Sequence, residues 1–280
     1  MMMRTIRRFT ILSFCSCSIL CAQNPGTGEA VSQDSAAAHY TRGVDLFNEH
    51  DDTGEALLEA KGEFLAAVKL DPGYAPALSY LGLIALEAND TTVAASLFLK
   101  ALKADSTCPE AHVGRAQLFR QLHRWQEGYD EANRAVRLAP ASAFARWELV
   151  SELLNRAEAP VTDSVVVEAI PHLQILLKQN SDDRQAHLEL AQSYEQLTRW
   201  QEAAAQYREV LRIGQTDEDM DVWVYTVHLD AARCFEHAND YHRAIEEMKL
   251  YLDASKGFGS GEDEVRKVEE RIQELERKDH

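Results

Sequence analysis

Ten histidines are the side chains of this sequence best suited to bind a metal or to move protons near neutral pH. No His-Glu-x-x-His pair occurs among them, so the helical zinc motif of metalloproteases is absent. His237 and His242 flank a predicted helix turn and are expected to be solvated. His112 and His187 occupy equivalent points of an internal repeat on apolar helix faces, which predicts that both are packing residues. The histidines therefore indicate no metal site.

Paired carboxylates could serve as a general acid and a general base. Three such pairs are Asp51-Asp52, Asp182-Asp183 and Glu246-Glu247. A chain with 46 Asp and Glu residues produces pairs of this kind by chance, and most of them lie in predicted turns or on exposed helix faces. No Gly-rich phosphate loop follows a predicted strand, and no local spacing joins a nucleophile to a base. We predict that the protein is not an enzyme and holds no cofactor; a hydrolase built on the repeats is the weakest alternative.

Composition limits the classes of function further. The chain has 280 residues, of which 45% are hydrophobic and 27% charged, and its formal net charge is −17. The apolar fraction is typical of a folded protein, and the length allows roughly one or two domains. Because nucleic-acid binders need clustered Lys and Arg to neutralise phosphates, the acidic balance argues against that class.

The first 22 residues are predicted to be a secretory signal peptide. Three arginines precede a short apolar run at residues 9–20, which is too short to cross a bilayer as a helix. Cleavage after Ala22 would leave a net charge of −20 and a Gly- and Pro-containing linker at residues 23–35. The protein is then expected to be exported, in the periplasm or secreted.

The cysteines keep a membrane attachment open. Cys17 and Cys21 lie within the signal segment. The residues before Cys17 partly match the sequence that precedes a lipidated cysteine, whereas Leu20 before Cys21 departs from it, so a lipoprotein is one alternative and an uncleaved anchor another. Cys108 and Cys234 would remain in the mature chain. They fall in different predicted repeats, which favours two buried thiols over a disulfide.

The body of the chain repeats itself. Residues 111–140 match residues 186–215 at an offset of 75 positions, including Arg124-Trp125-Gln126-Glu127 against Arg199-Trp200-Gln201-Glu202. Residues 78–106 match the first of these segments at an offset of 34, with small residues aligned on small residues. Self-similarity at such a period indicates stacked helical repeats, because one helix pair cannot bury its apolar face alone.

The pattern resembles the tetratricopeptide repeat, a helix–turn–helix unit of 34 residues. That family places small residues at repeat positions 8, 20 and 27, and Gly82, Ala94 and Ala101 stand there in the unit that begins at Ala75. The resemblance implies an all-α, right-handed α-solenoid of about six units with a C-terminal capping helix. The predicted units lie near residues 36–74, 75–108, 109–142, 143–183, 184–217 and 225–258.

The segment after the repeats is predicted to cap them. Within residues 259–280, Val265, Val268, Ile272 and Leu275 recur on one face of an otherwise charged helix. One side of such a helix covers the last repeat while the other side is solvated.

The resemblance also implies a partner-binding surface. In this family the concave face comes chiefly from the first helix of each unit, at positions near 2, 5, 9 and 12. Carried onto this sequence, these positions are Tyr40, Val44, Phe47, Ser79, Leu83, Leu86, Val113, Gln117, Arg120, Trp147, Ser151, Leu154, Leu188, Gln192, Glu195, Leu229, Arg233 and Glu236. The first half is apolar and the last two units are polar, so an extended peptide or helix with apolar anchors would suit the first half.

Some members of the family clamp a C-terminal carboxylate with Lys, Arg and Asn on this face. Tyr40, Ser79 and Val113 occupy position 5 here, so the clamp is absent. The leading hypothesis is an exported, non-catalytic scaffold of the cell envelope that binds a protein or peptide partner, without nucleic acid. The alternative is a lipid-anchored structural or assembly subunit of an envelope complex.

Overall fold

The computed structural model describes residues 35–49, 54–154, 162–214, 223–256 and 261–279. Within these ranges all regular structure is helical, in agreement with the predicted all-α repeat fold. The helices are α1 (Ala36–Glu49), α2 (Glu55–Leu70), α3 (Ala75–Glu87), α4 (Thr91–Ala104), α5 (Pro109–Gln121), α6 (Trp125–Leu138), α7 (Ala143–Leu154), α8 (Asp163–Gln179), α9 (Arg184–Gln196), α10 (Trp200–Gly214), α11 (Trp223–His237), α12 (Tyr241–Ser255) and α13 (Glu262–Glu276).

The predicted signal peptide, all but the last residue of the predicted linker and the candidate lipidation cysteines Cys17 and Cys21 lie outside the described residues. The remaining chain divides into two compact units, unit 1 up to Glu152 and unit 2 from Leu153. This boundary falls inside α7. None of the described helices is long and apolar enough to cross a bilayer.

A left-handed residue joins the two helices of four repeats. Asn89, His123, Thr198 and Asn239 have φ between 55° and 59° and occupy the same repeat position. After each of them, the next backbone N–H donates to a carbonyl five residues back, as from Asp90 to Ala85 O at 2.8 Å. This pairing satisfies helix-end carbonyls and turns the chain sharply into the second helix. Asp90 and Asp240, which directly follow two of these residues, cap the second helices α4 and α12 through side-chain oxygens, and Asp183 caps the first helix α9 in the same way.

Small residues let the helices of unit 1 approach closely. Phe98 of α4 is fully buried, and its ring lies against Gly82 of α3 and Gly114 of α5. A Cβ atom at Gly82 would lie 2.5 Å from the ring, far inside van der Waals contact. One aromatic side chain therefore fills the space left by two glycines on successive first helices.

A histidine joins the two helices in four repeats. In each case Nδ1 lies 2.6–2.7 Å from an acceptor on the second helix: Glu63 for His39, Glu131 for His112, Gln206 for His187 and Glu247 for His228. The opposite ring nitrogens of His112 and His187 lie 3.3 and 3.0 Å from the backbone oxygens of Ser106 and Ser181. Both rings are buried, as the repeat position predicts. The repeated histidine is therefore a packing residue that also links helix to helix.

The terminal helix α13 packs on α12. Val268, Ile272 and Leu275 are buried, while the remaining sides carry charged residues. Arg271 of α13 also donates to Glu236 of α11, with Nε 3.1 Å from Oε2. Unit 2 thus ends in a helix that covers the apolar side of the last repeat.

Candidate partner-binding surfaces

The first helices of the repeats form one side of each unit, here called the first-helix face. In unit 1 it is made by α1, α3, α5 and α7, and in unit 2 by α9 and α11. Ring contacts join α1 to α3, and hydrogen bonds join α5 to α7 and α9 to α11. Every predicted partner-binding residue that the structure describes lies on one of these helices.

An aromatic cluster occupies the first-helix face of unit 1. Tyr40 and Phe47 of α1 meet Tyr80 of α3 with ring centroids 5.8 and 5.2 Å away, both edge-on. Phe144 of α7 stacks on Tyr80 with ring centroids 6.1 Å apart and an interplanar angle of 18°. Tyr40, Phe47 and Phe144 are half-buried, whereas Tyr80 is buried. The cluster presents apolar ring surface held by a buried central ring.

Three predicted partner-binding residues of α3 are buried instead of lining this surface. Ser79 donates to the Ala75 backbone oxygen at 2.8 Å and lies 3.6 Å from Cys108 Sγ. Leu83 and Leu86 belong to the same buried cluster as Tyr80 and Phe64. Val113 of α5 is buried as well. These side chains support the surface from below and offer almost no area to a partner.

A polar cluster lies between α5 and α7. Arg120 donates to Glu148 Oε1 at 2.5 Å, to Glu152 Oε1 at 2.8 Å and to Ser151 Oγ at 3.3 Å. Gln117 donates to Glu148 Oε2 at 2.9 Å. The predicted residues Gln117, Arg120 and Ser151 thus meet around two carboxylates that the sequence analysis did not single out. Glu148 and Glu152 are four positions apart, which places them on one side of α7.

The pKa values of Glu152 and Arg120 are shifted within this polar cluster. Burial raises the pKa of Glu152 to about 7, and the neighbouring charge of Glu148 adds to this against the attraction of Arg120. Burial lowers the pKa of Arg120, but Glu148 and Glu152 outweigh it and the net shift is upward. Gly128 of α6 provides the space, because a Cβ there would lie 2.8 Å from Glu152 Oε2.

Apolar side chains share the first-helix face of unit 1 with this polar cluster. Trp147 and Val44 are half-buried, as are Gln117 and Arg120. Ring surface therefore lies beside hydrogen-bonding groups that are already oriented by buried partners. Such a mixture can hold an apolar anchor and fix the direction of a peptide backbone.

The first-helix face of unit 2 is polar. Glu195 accepts from the Tyr207 hydroxyl at 2.8 Å and from Arg233 at 2.8 Å, and Arg233 also pairs with Asp230 at 2.8 Å. Burial raises the pKa of Asp230 in spite of Arg233. Gln192 is exposed. Glu236, predicted on the same surface, is instead held by Arg271 of the terminal helix.

Neither Cys108 nor Cys234 is placed for nucleophilic chemistry. Cys108 and Cys234 are buried free thiols, as predicted, and burial raises the pKa of each to about 12. A thiol of that pKa carries almost no thiolate at neutral pH. Across the described ranges, no three His, Cys, Asp or Glu side chains are grouped so as to hold a metal ion.

Comparison with known proteins agrees with the repeat architecture. The family model described as "Tetratricopeptide repeat" matches residues 44–107, 81–143 and 168–218. Superkiller protein 3 of Schizosaccharomyces pombe is 30% identical over 91 residues, which are 32% of this chain and 6% of that protein. The chain therefore spans a small part of this relative.

Solved structures show the same fold at low identity. A Pseudomonas aeruginosa pilF structure covers 84% of this chain and 97% of its own at 17% identity and a TM-score of 0.58. The structure of YrrB, described as a TPR protein with an unusual peptide-binding site, covers 70% of this chain and 93% of its own. Its sequence identity is 17% and its TM-score is 0.54. A MamA structure covers 66% of this chain and 93% of its own, with 17% sequence identity and a TM-score of 0.53.

Proposed function

Because the chain belongs to the tetratricopeptide repeat family, we propose that it is a non-catalytic scaffold that binds a peptide or protein partner on the first-helix face of unit 1. The aromatic cluster of Tyr40, Phe47, Tyr80 and Phe144 carries this proposal. Half-buried rings around a fixed central ring are suited to apolar anchors of an extended segment or an amphipathic helix. The protein-interaction role of the family supports the general class.

The polar cluster supports recognition of the backbone beside those anchors. Gln117 donates to Glu148, and Arg120 donates to Glu148, Glu152 and Ser151 Oγ, so little side-chain freedom is lost when a partner binds. The clamp for a free C-terminal carboxylate is absent from positions 5 and 9. We therefore propose that the surface takes an internal segment of its partner.

Selection from a random peptide library displayed on phage tests this proposal. Selected peptides are expected to contain aromatic or aliphatic anchors and to bind Y40A and F47A variants at least about tenfold more weakly, a loss of about 1.4 kcal/mol. The matched control is N133A on α6, away from the first-helix face. Peptides that bind all three variants equally would overturn the assignment of the surface. Amidated and free C-termini are expected to bind alike.

We further propose that the scaffold works in the cell envelope after export. The basic start and apolar run of residues 1–22 support export, and Cys17 and Cys21 support the alternative of a lipid-anchored assembly subunit. Intact mass spectrometry of the protein purified from the producing cells distinguishes the free scaffold from the lipid-anchored subunit. A chain that begins at Gln23 supports the free scaffold, and a diacylated cysteine supports the anchored subunit. A full-length cytoplasmic chain would overturn both.

A further inference from the structure

Exposed leucines mark the outer side of the first two repeats. Leu58 and Leu65 of α2 are 70% and 51% exposed, and Leu99 of α4 is 71% exposed. Leu58, Gly62 and Leu65 are spaced by four and three residues, so they follow one another along one face of α2. We call this side of α2 and α4, with its exposed leucines, the outer leucine face.

The fold does not require leucine at these points. Leu65 and Leu99 each follow a fully buried phenylalanine, Phe64 and Phe98, and so occupy the same repeat position. In the four later repeats the residue after the equivalent buried side chain is Asn133, Gln174, Arg208 or Lys249. A position that is polar in four repeats and leucine in two indicates a surface with a separate role.

Lysines accompany the leucines. Lys61 and Lys69 of α2 and Lys100 and Lys103 of α4 are exposed, and within the described part of the chain they form no salt bridge. The helix α4 contains no Asp or Glu at all. Glu55 and Glu59 lie near the N-terminus of α2, and Glu63 in its middle pairs with Arg42 of α1. Lys100 and Lys103 are the only charged residues of α4, and Lys61 and Lys69 lie four positions to either side of Leu65. In a chain of net charge −17, the exposed leucines Leu65 and Leu99 thus have lysines as near neighbours.

Leucines flanked by lysines are the combination that binds the interface of a lipid bilayer. Leucine side chains enter the boundary between headgroups and acyl chains, while lysines extend along apolar surface and place their ammonium groups at anionic phosphates. The acidic remainder of the chain opposes this only weakly, because charges farther than about 8 Å from the headgroups are screened at physiological salt. We propose that the outer leucine face docks the protein onto an anionic lipid surface.

The position of this face in the chain is consistent with that role. The apolar run at residues 9–20 precedes α1 by the short linker at residues 23–35. An extended chain of that length spans about 45 Å at most. In the lipid-anchored alternative, which keeps this linker attached to the membrane, the first two repeats are therefore within reach of it.

Co-flotation of the full chain with vesicles tests the proposal. Vesicles of phosphatidylglycerol and phosphatidylethanolamine are compared with vesicles of phosphatidylcholine alone. The wild-type chain is expected to float with the anionic vesicles, and the L65Q/L99Q variant to bind them at least about tenfold more weakly. The K100E/K103E variant is expected to lose the preference for anionic vesicles.

The matched control is V167Q/L250Q, which removes two exposed apolar side chains of unit 2 that lie outside this face. It is expected to float as the wild type does, and all variants are expected to retain the wild-type circular dichroism spectrum. Equal flotation of L65Q/L99Q and wild type overturns the proposal, since another segment then binds the lipid. Absence of wild-type flotation overturns it too. A wild-type dimer in light scattering that L65Q/L99Q makes monomeric, without a flotation difference, assigns the face to a second copy instead.

Discussion

Arg120 of α5 donates to Glu152 of α7 at 2.8 Å across a boundary between two repeats. The same guanidinium nitrogen also donates to Glu148. Two carboxylates that are almost fully buried thus share one cation, and one of them is held near its protonated state at neutral pH. This relationship makes the stability of unit 1 sensitive to pH and to the loss of Arg120.

Substitution E152Q is expected to change the pH dependence of unfolding. The pKa of Glu152 lies at about 7 in the folded chain and at an ordinary 4.5 when unfolded, so the folded state holds the proton more tightly. The wild type should therefore lose stability relative to E152Q as pH rises from about 4.5 to about 7, by on the order of 2 kcal/mol. Urea unfolding from pH 4.5 to 8 measures this difference. A stability difference between wild type and E152Q that stays constant over this pH range would contradict the raised pKa of Glu152. The control is E59Q, which changes an exposed carboxylate of α2.

Substitution R120A is expected to destabilise the protein by about 3 kcal/mol, because it leaves two buried carboxylates without their cation. The measurement is the urea midpoint at pH 7.5, with R137A at an exposed position of α6 as the control. The combined R120A/E148Q variant should be more stable than R120A alone, since it removes one buried charge. If R120A and R137A unfold alike, the cluster contributes nothing to stability.

Substitution G114A is expected to destabilise unit 1, whereas G62A should stabilise it. A Cβ at Gly114 would overlap the ring of the fully buried Phe98, which also lies against Gly82. Gly62 lies in the exposed middle of α2 with nothing within 4 Å, so alanine there gains about 0.5–1 kcal/mol of helix stability. Thermal unfolding of the two variants checks the opposite signs, and a shift of the same sign in both would contradict the packing.

The histidine contacts between helices are expected to differ in strength according to their partner. His112 faces the carboxylate of Glu131, and His187 faces the amide of Gln206, at nearly the same distance. Hydrogen bonds to charged groups contribute about 1.5–3 kcal/mol and neutral ones about 0.5–1.5 kcal/mol. Double-mutant cycles with H112L/E131L and H187L/Q206L, measured by urea unfolding at pH 7, give the two coupling energies. The first should be the larger, and equal values would show that the carboxylate adds nothing.

The same contact predicts an acid dependence. Burial raises the pKa of Glu131, but the hydrogen bond with His112 and the charge of Arg115 outweigh it and lower the pKa overall. Since the pKa is lower in the folded chain, the stabilisation is complete above about 4.5 and is lost as pH falls through the folded value. The wild type should therefore lose its advantage over E131Q on acidification. An advantage that grows toward low pH would reverse this interpretation.

The sequence alone determined the architecture of this protein. The offset of 34 residues aligned Gly82 and Ala94 with the small positions of the family, and the structure places both at close helix contacts. Repeat position also predicted that His112 and His187 are buried. Such inferences succeed because helical periodicity and the close approach of packed helices depend on residues near one another in the chain.

Only the tertiary structure decided how the predicted partner-binding residues are used. Leu83 and Leu86 are buried, while Tyr80 and Phe144, 64 positions apart, stack at 6.1 Å. Arg120 meets Glu148 and Glu152 on the next repeat, which no local spacing indicated. Repeat position states which side of a helix a residue occupies. The side chains that cover it come from other repeats, and their sizes and charges decide whether it is buried, paired or exposed.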